Sequence, residues 1–141
     1  MAEDLAYAAG VIDTLGLLRV RTTGTGSELP SVTISTANGG LLRFLGEATG
    51  TNPFVVRRAY DKHRCLEHCE APHEHIESVT SRWNITGVRA TVMLNGITEY
   101  MRMQQEEAQR LLAVGLAAPF KAATLQRMVA LGWPLPEEWQ S

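Results

Sequence analysis

No stretch of this chain approaches about 18 uninterrupted apolar residues, which excludes a membrane-spanning helix. The first residues, Met1 to Asp4, lack the positive start and apolar run of a secretory signal, so the expected location is the cytoplasm. Neither sign of charge is in surplus. Lys and Arg number 13 against 15 Asp and Glu, for a formal charge of -2, which excludes an indiscriminate polycation. Charged residues make up only 20% of the 141 and hydrophobic residues 45%, so the chain has the apolar mass for a core and is not a disordered tail. The length suits one compact domain and leaves little room for two. What is present is unevenly placed. All four histidines (His63, His68, His73, His75) and both cysteines (Cys65, Cys69) fall between positions 63 and 75.

Charge is uneven as well. Residues 1–16 carry three acids and no base, residues 17–64 carry seven bases against three acids, and residues 65–141 carry six bases against nine acids. The near-neutral total therefore averages over a basic middle. Leu5, Ala8, Ala9 and Ile12 recur at helical spacing and predict a helix over 3–15, ended by Gly16. Ala6, Ala9, Gly10 and Asp13 form a stripe of little bulk that would let a second helix approach closely. Leu17 to Thr23 and Ser31 to Thr36 alternate and are β-branched, with Gly24-Thr25-Gly26-Ser27 between them, and predict a hairpin. The lone Gly24-x-Gly26 lacks the ending of a phosphate loop and reads as the hairpin turn.

A short helix is expected after Asn38, closed by Gly50, and then a strand from Phe54 to Lys62. A further strand carries Val79, Trp83 and Ile85 on one side and Arg82 and Asn84 on the other. One long helix is expected from about Val88 to Val114, with Thr86 as its cap and Leu94, Ile97, Met101, Ala108 and Leu111 along one face. Residues 121–131 predict a last short helix, and the Trp133-Pro134-Leu135-Pro136 tail is expected to pack back on its own domain. The class is α+β, an antiparallel sheet covered by helices on one side. The main domain is expected over 1–116, with a Cys/His hairpin at 63–76, followed by a C-terminal helix and Pro/Trp tail over 117–141.

Arg19 and Arg21 share one strand face, as do Arg82 and Asn84, while Arg57 and Arg58 must point to opposite faces. On the uncovered side of a sheet, Arg and Lys would position nucleic-acid phosphates, while Asn, Ser and Thr could read base edges. This makes Arg19, Arg21, Arg57, Arg82 and Asn84 the candidate DNA contacts; an ordinary solvated sheet face is the plain alternative. Cys65-x2-His68-Cys69-x3-His73-x-His75 supplies the thiolate and imidazole donors that Zn²⁺ prefers. The expected ligands are Cys65, Cys69, His73 and His75, with His68 as alternate. A closed shell of this kind would staple the hairpin without catalysing. A solvated loop and an HNH-type centre are the competing readings, while a disulfide suits a cytoplasmic chain poorly.

Ala8-Ala9-Gly10-Val11-Ile12-Asp13-Thr14-Leu15-Gly16 resembles the LAGLIDADG motif of homing endonucleases. The segment Trp83-Asn84-Ile85-Thr86-Gly87, with Leu94, Ile97, Tyr100, Met101 and Gln104 to Leu112, is similar to the closing strand and helix of that family. The resemblance spans about residues 3–114. It implies an αββαββα fold and a homodimer joined through residues 6–13, whose two sheets form a saddle over duplex DNA. A Cys/His hairpin is also similar to one in LAGLIDADG-like proteins of actinobacterial phages, which implies a phage or mobile-element setting in a bacterial host.

The departures from the family pattern carry as much meaning. Active members are expected to place an acid at the eighth motif position to hold Mg²⁺, where this chain has Leu15, and a Lys where it has Gln104. Polar residues that surround the family's site align near Ile34 and Asn38. The expectation is a catalytically inactive, dimeric DNA-binding protein, with structural Zn²⁺ and with Mg²⁺ only if cleavage is retained. The alternatives are a site-specific endonuclease that draws its acid from Asp13 or Glu47, and a saddle reused to bind a host or phage protein.

Overall fold

The computed structural model describes residues 2–60, 76–119 and 122–140, and the side chains of 4–53, 80–119 and 122–140 within them. In chain order the elements are α1 (Ala2–Leu15), β1 (Leu17–Thr22), β2 (Glu28–Thr36), α2 (Gly39–Thr49), β3 (Phe54–Tyr60), β4 (Ile76–Thr86), α3 (Gly87–Ile97), α4 (Gln105–Ala117) and α5 (Ala122–Ala130). The four strands form one antiparallel sheet in the order β1-β2-β4-β3.

The alternation of the sequence sets the two faces of this sheet. Leu18, Val32, Ile34, Trp83 and Ile85 are all buried, and the register aligns Leu18 with Val32, Val32 with Ile85, and Ile34 with Trp83. The helices pack on that side, where Leu5, Ala8, Ala9, Ile12, Leu42, Leu45, Leu94, Ile97 and Leu111 complete one core. Trp83 is fully buried, and its indole Nε1 donates to Thr51 Oγ1 at 2.8 Å. Thr49 and Thr51 hydroxyls are 2.9 Å apart, and Thr49 donates to Leu45 O at 2.7 Å, so β4 is tied to the end of α2. Because β4 alternates, this anchor holds Arg82 and Asn84 on the opposite side.

Asn38 caps α2 through Oδ1, which accepts from Gly40 N at 3.1 Å and Leu41 N at 3.4 Å. Gly50 ends the helix at φ +70°, a conformation that L side chains rarely adopt. β2 begins earlier than its β-branched run suggests and includes Pro30, paired with Val20. The ladder to β4 starts only at Ser31, so Pro30 lies where the missing N–H costs no second ladder bond.

The long helix expected over 88–114 is two helices. Thr98 turns back to Leu94 O through its hydroxyl, and a 3₁₀ turn at Thr98–Tyr100 follows. The amides of Arg102, Met103 and Gln104 then bond to Asp13 of α1, so the chain redirects before α4 begins. The five apolar residues expected on one face of a single helix are all buried even so. The tail packs on the domain, with Trp133 only 3% exposed and its Nε1 donating to Ala48 O at 2.7 Å.

Candidate nucleic-acid interface

The face of the sheet away from the helices carries Leu17, Arg19 and Arg21 on β1, Leu29, Ser31, Thr33 and Ser35 on β2, and Thr80, Arg82, Asn84 and Thr86 on β4. No Asp or Glu holds any of these positions. Arg19, Arg21 and Arg82 are exposed, and no ion pair engages them among the described residues. Arg57 pairs with Thr80 in the backbone ladder, past a register shift between Val55 and Arg57; its side chain is outside the described set. Four of the five expected contacts thus occupy one polar, positively charged face, with the fifth on the neighbouring strand.

Side-chain bonds fix part of this surface. Asn84 Nδ2 donates to Thr33 Oγ1 at 2.7 Å, Ser31 Oγ at 3.1 Å and Val32 O at 3.3 Å. Arg82 Nε donates to Ser35 Oγ at 3.4 Å, which leaves the two terminal guanidinium nitrogens toward solvent. The serines and threonines expected on such a face are Ser31, Thr33 and Ser35 of β2, which their period-two spacing opposite Arg82 and Asn84 identifies.

The end of α1 has a different character. Asp13 is 8% exposed, and its carboxylate accepts from Arg102 N (2.9 Å), Met103 N (2.9 Å to each oxygen) and Gln104 N (2.7 Å). It therefore caps the start of α4 from another helix. Burial pushes its carboxyl up, but the three N–H bonds and the nearby Arg102 charge outweigh that and hold it below the ordinary range. Gln104 answers in the reverse direction. Its Nε2 donates to Gly16 O at 3.0 Å, Asp13 O at 3.1 Å and Ile12 O at 3.3 Å, the last carbonyls of α1 and its turn. Gly16 is required here, since a Cβ would lie 2.5 Å from Ile12 O.

Leu15 is 43% exposed at this same end, with Leu17 and Met103 also open to solvent. A divalent cation needs hard oxygen ligands, and Leu15 offers none while Asp13 is consumed by amides. The residues present at the end of α1 do not fit such an ion. Ile34 and Asn38 do not either, the first being fully buried and the second a helix cap. Glu47 is exposed on α2.

The small stripe on α1 does not form a single surface. Ala9 and Asp13 turn into the domain, whereas Ala6 and Gly10 are exposed together with Tyr7 and Thr14. A twist of the stripe across the buried boundary explains this, because burial follows Leu5, Ala8 and Ile12. No heavy atom lies within 4 Å of the space a Gly10 Cβ would fill. The expected zinc ligands Cys65, Cys69, His73 and His75, with His68, lie outside the described residues. Among the described residues no group of His, Cys, Asp or Glu is placed to hold a metal, and no helix is long and apolar enough to cross a membrane.

No family model matches this sequence, and no curated protein matches it. Solved structures do. The chain is similar to the homing endonuclease I-CvuI in complex with its target (Sro1.3) in the presence of Ca, with 13% identity over 95% of this chain and 98% of that one, at a TM-score of 0.52. It is similar as well to I-CvuI in complex with an I-CreI target in the presence of Mg, in which the DNA is not cleaved, with 14% identity over 96% and 100% of the two chains at a TM-score of 0.52. The architecture is that of the LAGLIDADG homing endonucleases, an α+β domain with an antiparallel sheet.

Proposed function

We propose that this protein binds double-stranded DNA through the open face of its sheet, as a homodimer paired through α1, and does not cleave it. The observation that carries this reading is the acid-free face of Arg19, Arg21, Arg82 and Asn84 set among Ser31, Thr33 and Ser35. Cations and small polar groups on a sheet suit phosphate positioning and base-edge contact. Arg57, paired with Thr80 in the ladder, extends the set. The likeness to DNA-bound endonucleases supports the same use of the face. The exposed Ala6 and Gly10 support close approach of a second α1.

Loss of cleavage rests on Leu15 and on the commitment of Asp13 to the start of α4. An endonuclease that recruits Asp13 would have to break that cap. Zinc binding by Cys65, Cys69, His73 and His75 rests on their donor chemistry and close spacing alone. It is checked by metal content of the purified protein and by its change in Cys65→Ser.

Binding to randomised duplex DNA across a salt series tests the main reading. The expected result is affinity at low salt that falls steeply with added salt. Replacing Arg19, Arg21, Arg57 and Arg82 together should flatten the slope by about 0.9 for each phosphate that the variant no longer neutralises. Unchanged binding in that variant would sink the proposal. Absence of any duplex affinity, with capture of a protein partner instead, would favour the reused saddle.

A further inference from the structure

We infer that Asn84 is a specificity-determining residue that accepts a hydrogen bond from the exocyclic amino group of a base, adenine N6 or cytosine N4, in the major groove. The inference rests on the DNA-binding reading and sharpens it to one chemical group. Its origin is the orientation of the Asn84 amide. An amide can ordinarily be turned over, exchanging donor and acceptor, and Ser31 and Thr33 hydroxyls would tolerate either arrangement. The carbonyl of Val32 does not. It lies 3.3 Å from the Asn84 amide nitrogen and can only accept. Turning the amide over would set two carbonyl oxygens against each other and discard the donor that Val32 O and the two hydroxyls share.

The NH₂ group is thereby held inward by three acceptors, Thr33 Oγ1 at 2.7 Å, Ser31 Oγ at 3.1 Å and Val32 O at 3.3 Å. Oδ1 is left on the other side of the planar group, on a half-exposed side chain, with no donor among the described residues. An asparagine free to rotate would offer both a donor and an acceptor, and so would read adenine in two-pronged fashion. This one presents an acceptor alone. In the major groove the only base-edge donors are the amino groups of adenine and cytosine; guanine and thymine present acceptors at the equivalent place. Arg82, two residues away on the same face and tethered to Ser35 through Nε, supplies the opposite polarity. The pair therefore differs in what each rejects, not only in what each binds.

The test uses the full chain. Duplexes selected from a randomised library by the wild-type protein are expected to show adenine or cytosine at one position per half-site. Exchanging that base for its keto counterpart, adenine for guanine or cytosine for thymine, should weaken wild-type binding by about ten-fold at fixed salt. Asn84→Ala should bind both duplexes within about two-fold of each other. Circular dichroism melts verify that the variant folds. If it does not, Asn84→Ser, which keeps a small polar group beside Ser31, takes its place in the same comparison. A duplex carrying N6-methyladenine or N4-methylcytosine, which keeps the pairing hydrogen and replaces the groove-facing one, removes the donor with no change in the protein and should weaken binding as the keto exchange does. Discrimination that persists without Asn84, or an Asn84-dependent position occupied by guanine or thymine, overturns the inference. In that case the DNA-binding reading still stands on the wild-type affinity and its salt slope. A wild-type protein with no affinity for duplex DNA overturns both.

Discussion

Asp13→Asn should destabilise the protein by breaking the start of α4, not by removing a reactive group. The carboxylate receives three backbone N–H groups, from Arg102, Met103 and Gln104, at 2.7 to 2.9 Å. Asparagine keeps one acceptor oxygen and turns an NH₂ group toward those donors, so at least one of them is left without a partner. Removing a charge-assisted bond from a buried site, together with the charge at a helix N-terminus, amounts to about 2 to 4 kcal/mol. For a domain of this size that corresponds to a fall in Tm of about 6 to 12 °C.

Urea unfolding at pH 7 measures the cost of Asp13→Asn, which should appear as a lower midpoint at an unchanged slope. The pH dependence provides the second arm. Because the folded carboxyl is held below its ordinary value of 3.8, its contribution is complete above that pH and is lost as the pH falls through the lower folded value. The gap between wild type and variant should thus be constant from about pH 7 to 5 and should close under stronger acid. A gap below about 0.5 kcal/mol at pH 7, or one that persists unchanged in acid, would refute the capping argument. A carboxylate kept for catalysis alone would show the first of these results.

Three other substitutions probe neighbouring parts of the structure. Gln104→Glu sets a carboxylate against Ile12 O, Asp13 O and Gly16 O, and should cost about 2 kcal/mol in thermal melts at neutral pH, where a wild-type melt would show the side chain to be incidental. Gly115→Ala places a Cβ 2.0 Å from Thr91 Oγ1 and 2.9 Å from its Cβ, and should cost about 2 to 3 kcal/mol; combined with Thr91→Ala it should cost less than the sum of the two, and strict additivity would contradict the contact. Arg89 has a fully sequestered Nε with no partner among the described residues, so Arg89→Met, which keeps the stem and removes the charge, should raise the unfolding free energy by about 1 kcal/mol, read as a higher urea midpoint, and a lower midpoint would mean that the guanidinium is satisfied in solution.

The parts of the fold legible in the sequence are those governed by local period. Arg82-Trp83-Asn84-Ile85 alternates because β4 has a packed side and an open one, and the same alternation in 17–22 and 31–36 specifies which arginines share a surface. Asn38 and Gly50 mark the two ends of α2 by their own backbone chemistry. The break in the long C-terminal helix could not be read that way. Its apolar face continues across the break through Met101, so periodicity alone sees one helix. The break depends on a carboxylate about 90 positions earlier in the chain, and no local signal reports a partner at that distance.

That same contact sets apart two neighbouring positions at the end of α1. Asp13 and Leu15 lie two residues apart on the helix and face different problems. Asp13 is turned into the domain, where the amides before α4 would be orphaned without it, and Gln104 satisfies the carbonyls of α1 in return. The cost of losing either partner falls on folding, whatever the protein's activity. Leu15 faces solvent, where an acid would bond to nothing in the domain and would serve only an external ligand such as a cation. The fold therefore holds position 13 to an acid and leaves position 15 free to vary, as the proposed binding without cleavage requires.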